Sequence, residues 1–356
     1  MQTDTLIIGG GLSGLALAEM LYATGHDFLL VEARDRLGGR ILTKTFGGAN
    51  FDLGPAWFWP GQPRIAKLVN RYGLAQFEQF SEGILTYEDQ NGVQRGQGYA
   101  SMQGSYRLKH GFGALTSALS ESLPSGKIIR EAPVSHLLKR DGAITAKTPK
   151  SEITAKRVVL ALPLRLAARI EFEPTLPNDT LTSMQEIPTW MAGHAKAVAL
   201  YDRAFWRDAG LSGDAMSRVG PMIEVHDASP ATGGPFALFG FIGMPPSTRC
   251  DETRLRQSLI AQLGRLFGPS AEQPTKLFVK DWAFEPFTST KADLAPLYTH
   301  PQYGLSPAIS NPWRGQLIIA STEVAHEFGG YLEGALEAAE NAFDRLTANT
   351  ALSSNA

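Results

Sequence analysis

The first forty residues constrain this chain most. Thr5-Leu6-Ile7-Ile8 is a short apolar run ending at Gly9, and Gly9, Gly11 and Gly14 complete a G-x-G-x-x-G turn. Leu12, Leu15, Ala16 and Ala18 to Leu21 follow with the spacing of a buried helix, which Gly25 stops. Phe28-Leu29-Leu30-Val31 then reads as a second buried strand, closed by Glu32. Strand, glycine turn, helix and strand make a βαβ unit. The first glycine permits the tight turn, and the second lets the backbone approach a pyrophosphate. The third lets the helix pack on the strand, and the helix N-terminus offers free N–H groups to phosphate. Glu32 lies 23 residues after Gly9, near the spacing of about 20 at which an acid holds a ribose 2′-hydroxyl. The same acid repels a 2′-phosphate, so NADP is disfavoured.

Further strands are predicted at 127–129, 135–139, 143–146 and 157–161, with Asp141-Gly142 as a hairpin turn. Segments 196–201 and 236–242 alternate and are rich in aromatics, which predicts an antiparallel sheet of different character. Glu252–Phe267 reads as an amphipathic helix, 317–320 as a buried strand and Tyr331–Leu346 as a last helix. No repeat or low-complexity linker separates these parts. The predicted fold is therefore α/β: a discontinuous Rossmann-like dinucleotide-binding domain (1–80, 105–162 and 285–350) with an inserted α+β substrate domain (81–104 and 163–284).

Composition narrows the function classes. The formal charge is −2, so no basic footprint for nucleic acid exists. One cysteine, Cys250, excludes an internal disulfide and any multi-cysteine metal site. His326-Glu327 begins H-E-x-x-H, but position 330 is Gly, so no zinc site follows; no metal is expected. Met1-Gln2-Thr3-Asp4 enters the first strand without a basic leader, and no apolar run reaches about 20 residues. A cytoplasmic location away from membranes is the expectation.

Beyond the turn, the sequence runs Glu32-Ala33-Arg34-Asp35-Arg36-Leu37-Gly38-Gly39-Arg40, then Phe51-Asp52-Leu53-Gly54-Pro55-Ala56-Trp57. Ser321-Thr322-Glu323 and Gly330-Tyr331-Leu332-Glu333-Gly334-Ala335 precede the last helix, and Lys196 to Trp206 forms a strand ending in Phe-Trp. This ordered set resembles the flavin-containing amine oxidase family, whose members read E-A-x-x-R-x-G-G-R, D-L-G-G-x-W, G-T-E-T and G-Y-M-E-G-A. The resemblance spans about Thr5 to Leu346. It implies FAD, contacted at Gly9, Gly11, Gly14, Glu32, Arg34, Arg40, Gly54, Trp57, Val134, Glu323 and Leu332. Cys250 stands away from the family's covalent attachment position, so the FAD is expected to be noncovalent. The start of the last helix is expected to turn its N–H groups to the flavin.

Two departures stand out. Many family members hold a lysine whose ammonium binds a water facing the flavin; counted from Pro163, that position is Arg169, expected here as a fixed cation. The family also flanks its substrate amine with two rings. Tyr331 matches one, but the other position falls near Ala292. A polar wall from Thr288, Thr290 or Asp293 would suit a hydroxylated or charged substrate. His194 is expected to be a plain strand residue. Tyr331 and Arg169 are thus the expected catalytic residues of an FAD-dependent oxidoreductase. It would take a small amine and oxidise its C–N bond, with oxygen or another electron acceptor. The alternatives are a flavin desaturase or dehydrogenase acting on C–C bonds, and an FAD-binding protein without catalysis.

Overall fold

The computed structural model describes residues 1–295, 297 and 299–353, the last five by backbone alone. An eight-stranded sheet organises the dinucleotide half. Its order is Glu171–Glu173, His136–Arg140, Ala143–Lys147, Glu152–Leu160, Gln2–Ile8, Phe28–Val31 and Ile128–Ile129, with Leu317–Ile319 also paired to the 152–160 strand. Gln2–Ile8 runs parallel to both neighbours, with Ile8 opposite Val31 and Leu160. Parallel strands buried on both faces need continuous apolar runs, and these strands have them. Helix Leu12–Ala23 and the last helix, Leu332–Ser353, pack on one face, joining Leu15, Leu17 and Leu21 to Leu336, Ala339 and Ala342. The 141–142 hairpin forms as expected: Asp141 (φ +49°) and Gly142 (φ +78°) both take the left-handed conformation that a two-residue turn requires.

The second sheet has seven strands in the order Lys276–Asp281, Ala195–Tyr201, Phe236–Ile242, Met222–Asp227, Leu211–Ser217, Ile84–Asp89 and Gly92–Gly96. All its pairs are antiparallel except 211–217 with 84–89. Strand periodicity divides its residues. Ala195, Ala197 and Ala199 meet helix Glu252–Phe267 through Leu255, Leu259, Leu263 and Leu266. Val198, Leu200 and Phe239 turn the other way, onto Phe51, Leu53 and Trp57. The second face is the one that looks toward the dinucleotide half. Strand Glu171–Glu173 lies within the stretch read from sequence as substrate domain, yet it pairs with His136–Leu138 of the first sheet.

Candidate functional site

The three signature glycines have different reasons to be glycine. A Cβ on Gly9 (φ +116°) would overlap the Ala161 carbonyl, and one on Gly14 would overlap the Gly9 carbonyl. The chain itself requires both. At Gly11 the nearest atom to such a Cβ is the Gly39 Cα at 4.0 Å, so no protein atom fills that space. That opening lies at the start of the first helix, where a pyrophosphate would use its free N–H groups. Glu32 is buried beneath the turn. Its Oε2 accepts from the Gly10 N–H (2.8 Å) and its Oε1 from the Arg34 N–H (2.9 Å). A carboxylate has about four acceptor sites, so two remain for ribose hydroxyls. Residues 131 and 132 hydrogen-bond back to the Arg34 and Glu32 carbonyls. That brings the neighbouring Val134 to the same end of the sheet. The residues present therefore fit an FAD adenosine diphosphate.

The other motif residues are held by one another. Arg40 clasps Glu323 with two bonds, 2.6 and 3.3 Å, and the Ser321 hydroxyl donates to the same carboxylate. Burial works against the Arg40 charge, but Glu323 raises its pKa above the ordinary value. Gly54 is glycine because a Cβ there would overlap the Arg40 carbonyl. Arg34 donates to Thr288 Oγ1 (2.9 Å) and Glu285 (3.3 Å), and Glu285 accepts from Lys280 Nζ (2.5 Å). Trp57 is buried against the second sheet, edge-on to His226 and Phe239, and its Nε1 donates to Gln79 (2.7 Å).

Lys196, read from sequence only as part of a strand, stands at the D-L-G loop. Among the described residues it is the buried lysine, 6% exposed, and its Nζ donates to the Gly54 carbonyl at 2.5 Å. The rings of Phe239 and Phe241 lie 6.0 and 5.4 Å from the ammonium. Burial pulls its pKa down from 10.5 to about 8, with Asp52 opposing. Burial also lifts Asp52 from 3.8 to about 6, although Thr43 and Phe112 hydrogen-bond to it. His194, two residues before Lys196, is lowered to about 4 by burial and by the charges of Lys196 and Arg249. Arg169, by contrast, is exposed in the turn before the 171–173 edge strand. Arg169 thus lies in an exposed turn, and the buried cation at the D-L-G loop is Lys196. The available signal was a lysine inside a strand that is apolar on both faces.

The last helix opens beside this region. Thr322 Oγ1 accepts from the Gly330 N–H (3.0 Å) and donates to the Tyr331 carbonyl (2.9 Å), which fixes the approach to the helix. Its first N–H groups, from Leu332 onward, precede any intrahelical partner. Tyr331 is 37% exposed, its pKa raised by partial burial, and it stacks on His300 with centroids 5.0 Å apart. Trp190 and Tyr303 lie edge-on to that imidazole. Ala292 is exposed and supplies no ring. The expected polar wall is also corrected. Thr288 takes Arg34, while Asp293 pairs with Arg165 (2.5 Å) and caps Thr290, so these groups serve internal bonds. Among the described residues no helix is long and apolar enough to cross a membrane, and no cluster of His, Cys, Asp or Glu stands ready to hold a metal.

Residues 12–99 and 96–347 match the family model of the flavin-containing amine oxidoreductases. Amine oxidase B of Mus musculus is 24% identical, over 96% of this chain and 85% of its own. An L-amino acid dehydrogenase of Synechocystis is 23% identical, over 95% and 93%. Among solved structures, a putrescine oxidase variant shares the fold with a TM-score of 0.83 at 20% identity, covering 98% of this chain and 99% of that one. The chain belongs to the family of flavin-containing amine oxidoreductases.

Proposed function

We propose that this protein oxidises the C–N bond of a small amine, with FAD held noncovalently between the glycine turn and the N-terminus of the last helix. The observation that carries the reading is Lys196, a buried ammonium bonded to Gly54 at the junction of the two sheets. When bound, FAD supplies the two-electron acceptor for a C–H bond next to nitrogen. Glu32 binds the ribose, the opening at Gly11 admits the pyrophosphate, and the helix beginning at Leu332 turns its N–H dipoles toward the flavin ring. Tyr331 forms one wall of the substrate site. Lys196 Nζ, near neutrality in its pKa, holds or releases a proton at the reacting end. A substrate nitrogen beside it is favoured in its neutral form, because a second ammonium would be repelled. Noncovalent binding is supported by Cys250, which precedes the helix on the far face of the second sheet.

A second reading, a flavin dehydrogenase passing electrons to an acceptor other than oxygen, is supported by the missing ring at Ala292. Both readings meet one experiment. The purified protein should be yellow, and acid should release intact FAD. Anaerobic addition of an amine panel should bleach the band near ~450 nm, and mixing with oxygen should restore it. A flavin that amines bleach but oxygen leaves reduced favours the dehydrogenase. A flavin that no amine bleaches refutes the amine reading.

A further inference from the structure

Beside the nucleotide-binding turn lies an open cleft of about 500 Å³ that the flavin reading does not use. Its walls are the loop after Arg34, the hairpin of strands Thr43–Phe46 and Ala49–Asp52, and helix Gly113–Glu121. Neither Gly11 nor Glu32 lines it, so it is separate from the opening assigned to pyrophosphate and ribose. Leu37, Ile41 and Ala114 give it an apolar floor. Arg36 stands in its wall, partly buried. The guanidinium donates to the carbonyls of Leu37 (3.2 Å), Ile41 (3.1 Å) and Gly39 (3.0 Å). A guanidinium carries five N–H groups, so two remain. Among the described residues no carboxylate pairs with Arg36 or with Arg130, which also lines the cleft and whose side chain makes no hydrogen bond. Burial and the neighbouring Arg34 charge lower the Arg36 pKa, with Glu285, Glu32 and Asp35 opposing. Asp35 is an exposed wall residue too, and against the two arginines it leaves one net positive charge.

We propose that this cleft is an effector site for a small organic anion, a carboxylate or phosphate on a short apolar body, and that its occupant helps the chain retain FAD. The acidic group answers the two remaining Arg36 N–H groups and Arg130, where charge-assisted hydrogen bonds are the strong ones. The body covers Leu37 and Ala114. Coupling follows from the loop that the two sites share. Its Gly38 N–H donates to the Gly10 carbonyl (2.8 Å), and its Gly39 Cα is the nearest atom to a Cβ built on Gly11. The same loop carries Arg34 and Arg36, whose like charges repel. An anion on Arg36 offsets that repulsion and favours the loop shape that backs the glycine turn. By linkage, FAD and the anion each raise the affinity of the other.

The test titrates the FAD-loaded protein calorimetrically with phenyl phosphate and benzoate, with inorganic phosphate and neutral benzamide beside them. One of the two organic acids should bind at least tenfold more tightly than benzamide and than inorganic phosphate, and the tighter acid names the preferred group. Arg130→Gln should weaken it at least fivefold, and Asp35→Asn should tighten it. Ser117→Trp, which sets an indole into the cleft from the exposed side of helix Gly113–Glu121, should abolish it. Release of FAD on dilution, followed by flavin fluorescence, should slow at least twofold with the acid present in wild type and not in Ser117→Trp. No saturable binding of either acid overturns the site, as does binding that neither Arg130→Gln nor Ser117→Trp moves. Inorganic phosphate binding as tightly as phenyl phosphate overturns the organic ligand. Binding that leaves FAD release unchanged overturns the coupling. None of these readouts uses amine turnover, so failure of the amine reading is seen separately.

Discussion

The buried ammonium of Lys196 should leave a mark on stability that no surface lysine would leave. Its pKa falls from 10.5 in the open chain to about 8 in the fold, with burial as the leading cause. A fall of that size corresponds to about 3 kcal/mol. Between those two values the unfolded chain holds the proton and the folded chain does not. The unfolded state then binds more protons, so stability rises with pH. The contribution is fully present above the unfolded value and is lost as pH falls through about 8. Lys196→Met keeps an unbranched apolar stem and removes the titration. Stability of wild type minus variant should therefore climb by about 3 kcal/mol from pH 8 to 10.5 and stay level below pH 7. The assay is urea unfolding at half-unit pH steps, with free FAD held constant because ligand binding shifts apparent stability. Parallel curves through that window would refute the reasoning. On the proposed role of Lys196, the same variant should slow flavin turnover at least tenfold, about 1.4 kcal/mol of barrier.

Arg169→Met should change neither flavin turnover nor stability beyond about 0.5 kcal/mol, the usual range for an exposed site; a tenfold kinetic loss would restore it to the site. Asp52, lifted to about 6 by burial, holds its proton in the fold where the unfolded chain has lost it. The stability of wild type minus Asp52→Asn should therefore fall as pH rises from about 4 to 6 in unfolding experiments. Glu32→Ala removes the acceptor for the Gly10 and Arg34 N–H groups along with the ribose contacts. At roughly 1.5–3 kcal/mol per charged hydrogen bond, apoprotein should accumulate, and an unchanged Kd for FAD would sink the assignment. Tyr331→Ala should slow flavin reduction while FAD stays bound, with a stability loss well short of the roughly 3–5 kcal/mol of a buried aromatic; a melting curve beside stopped-flow reduction separates the two.

Local signals carried most of the fold. The glycine turn demanded its strand and helix, and Asp141-Gly142 demanded its hairpin. Helix Glu252–Phe267 forms over the span that its apolar spacing predicts, because Asp251 caps it and Gly268 ends it. Strand Glu171–Glu173 was harder to assign. Three residues, with charge on either side of Phe172, carry little periodicity, and only the pairing with His136–Leu138 assigns them to a sheet. The site was less legible for a related reason. Spacing from Pro163 measures distance along the chain, whereas a site is assembled across strands. Position 169 falls in an exposed turn, while Lys196 reaches the D-L-G loop from a different sheet. Thr288 and Asp293 likewise look like free polar groups in sequence, and only the fold brings Arg34 and Arg165 to them.

Several polar links between the dinucleotide half and the second sheet fall on the motifs. Lys196 Nζ donates to the Gly54 carbonyl, and Trp282 Nε1 donates to the Leu53 carbonyl at 2.9 Å. Consecutive carbonyls of one loop thus accept from two elements of the second sheet. Arg34 reaches Glu285, which holds Lys280 of the edge strand. Gly54 has its own requirement, since a side chain there would strike the Arg40 carbonyl, and Arg40 is tied to Glu323 before the last helix. A single path of contacts therefore runs from Glu323 through Arg40 and Gly54 to Lys196. A change in any of these residues should move the Lys196 ammonium relative to the nucleotide-binding turn. This gives a physical reason for motifs far apart in sequence to occur together in one chain: each supplies one contact of the same junction between the dinucleotide half and the second sheet.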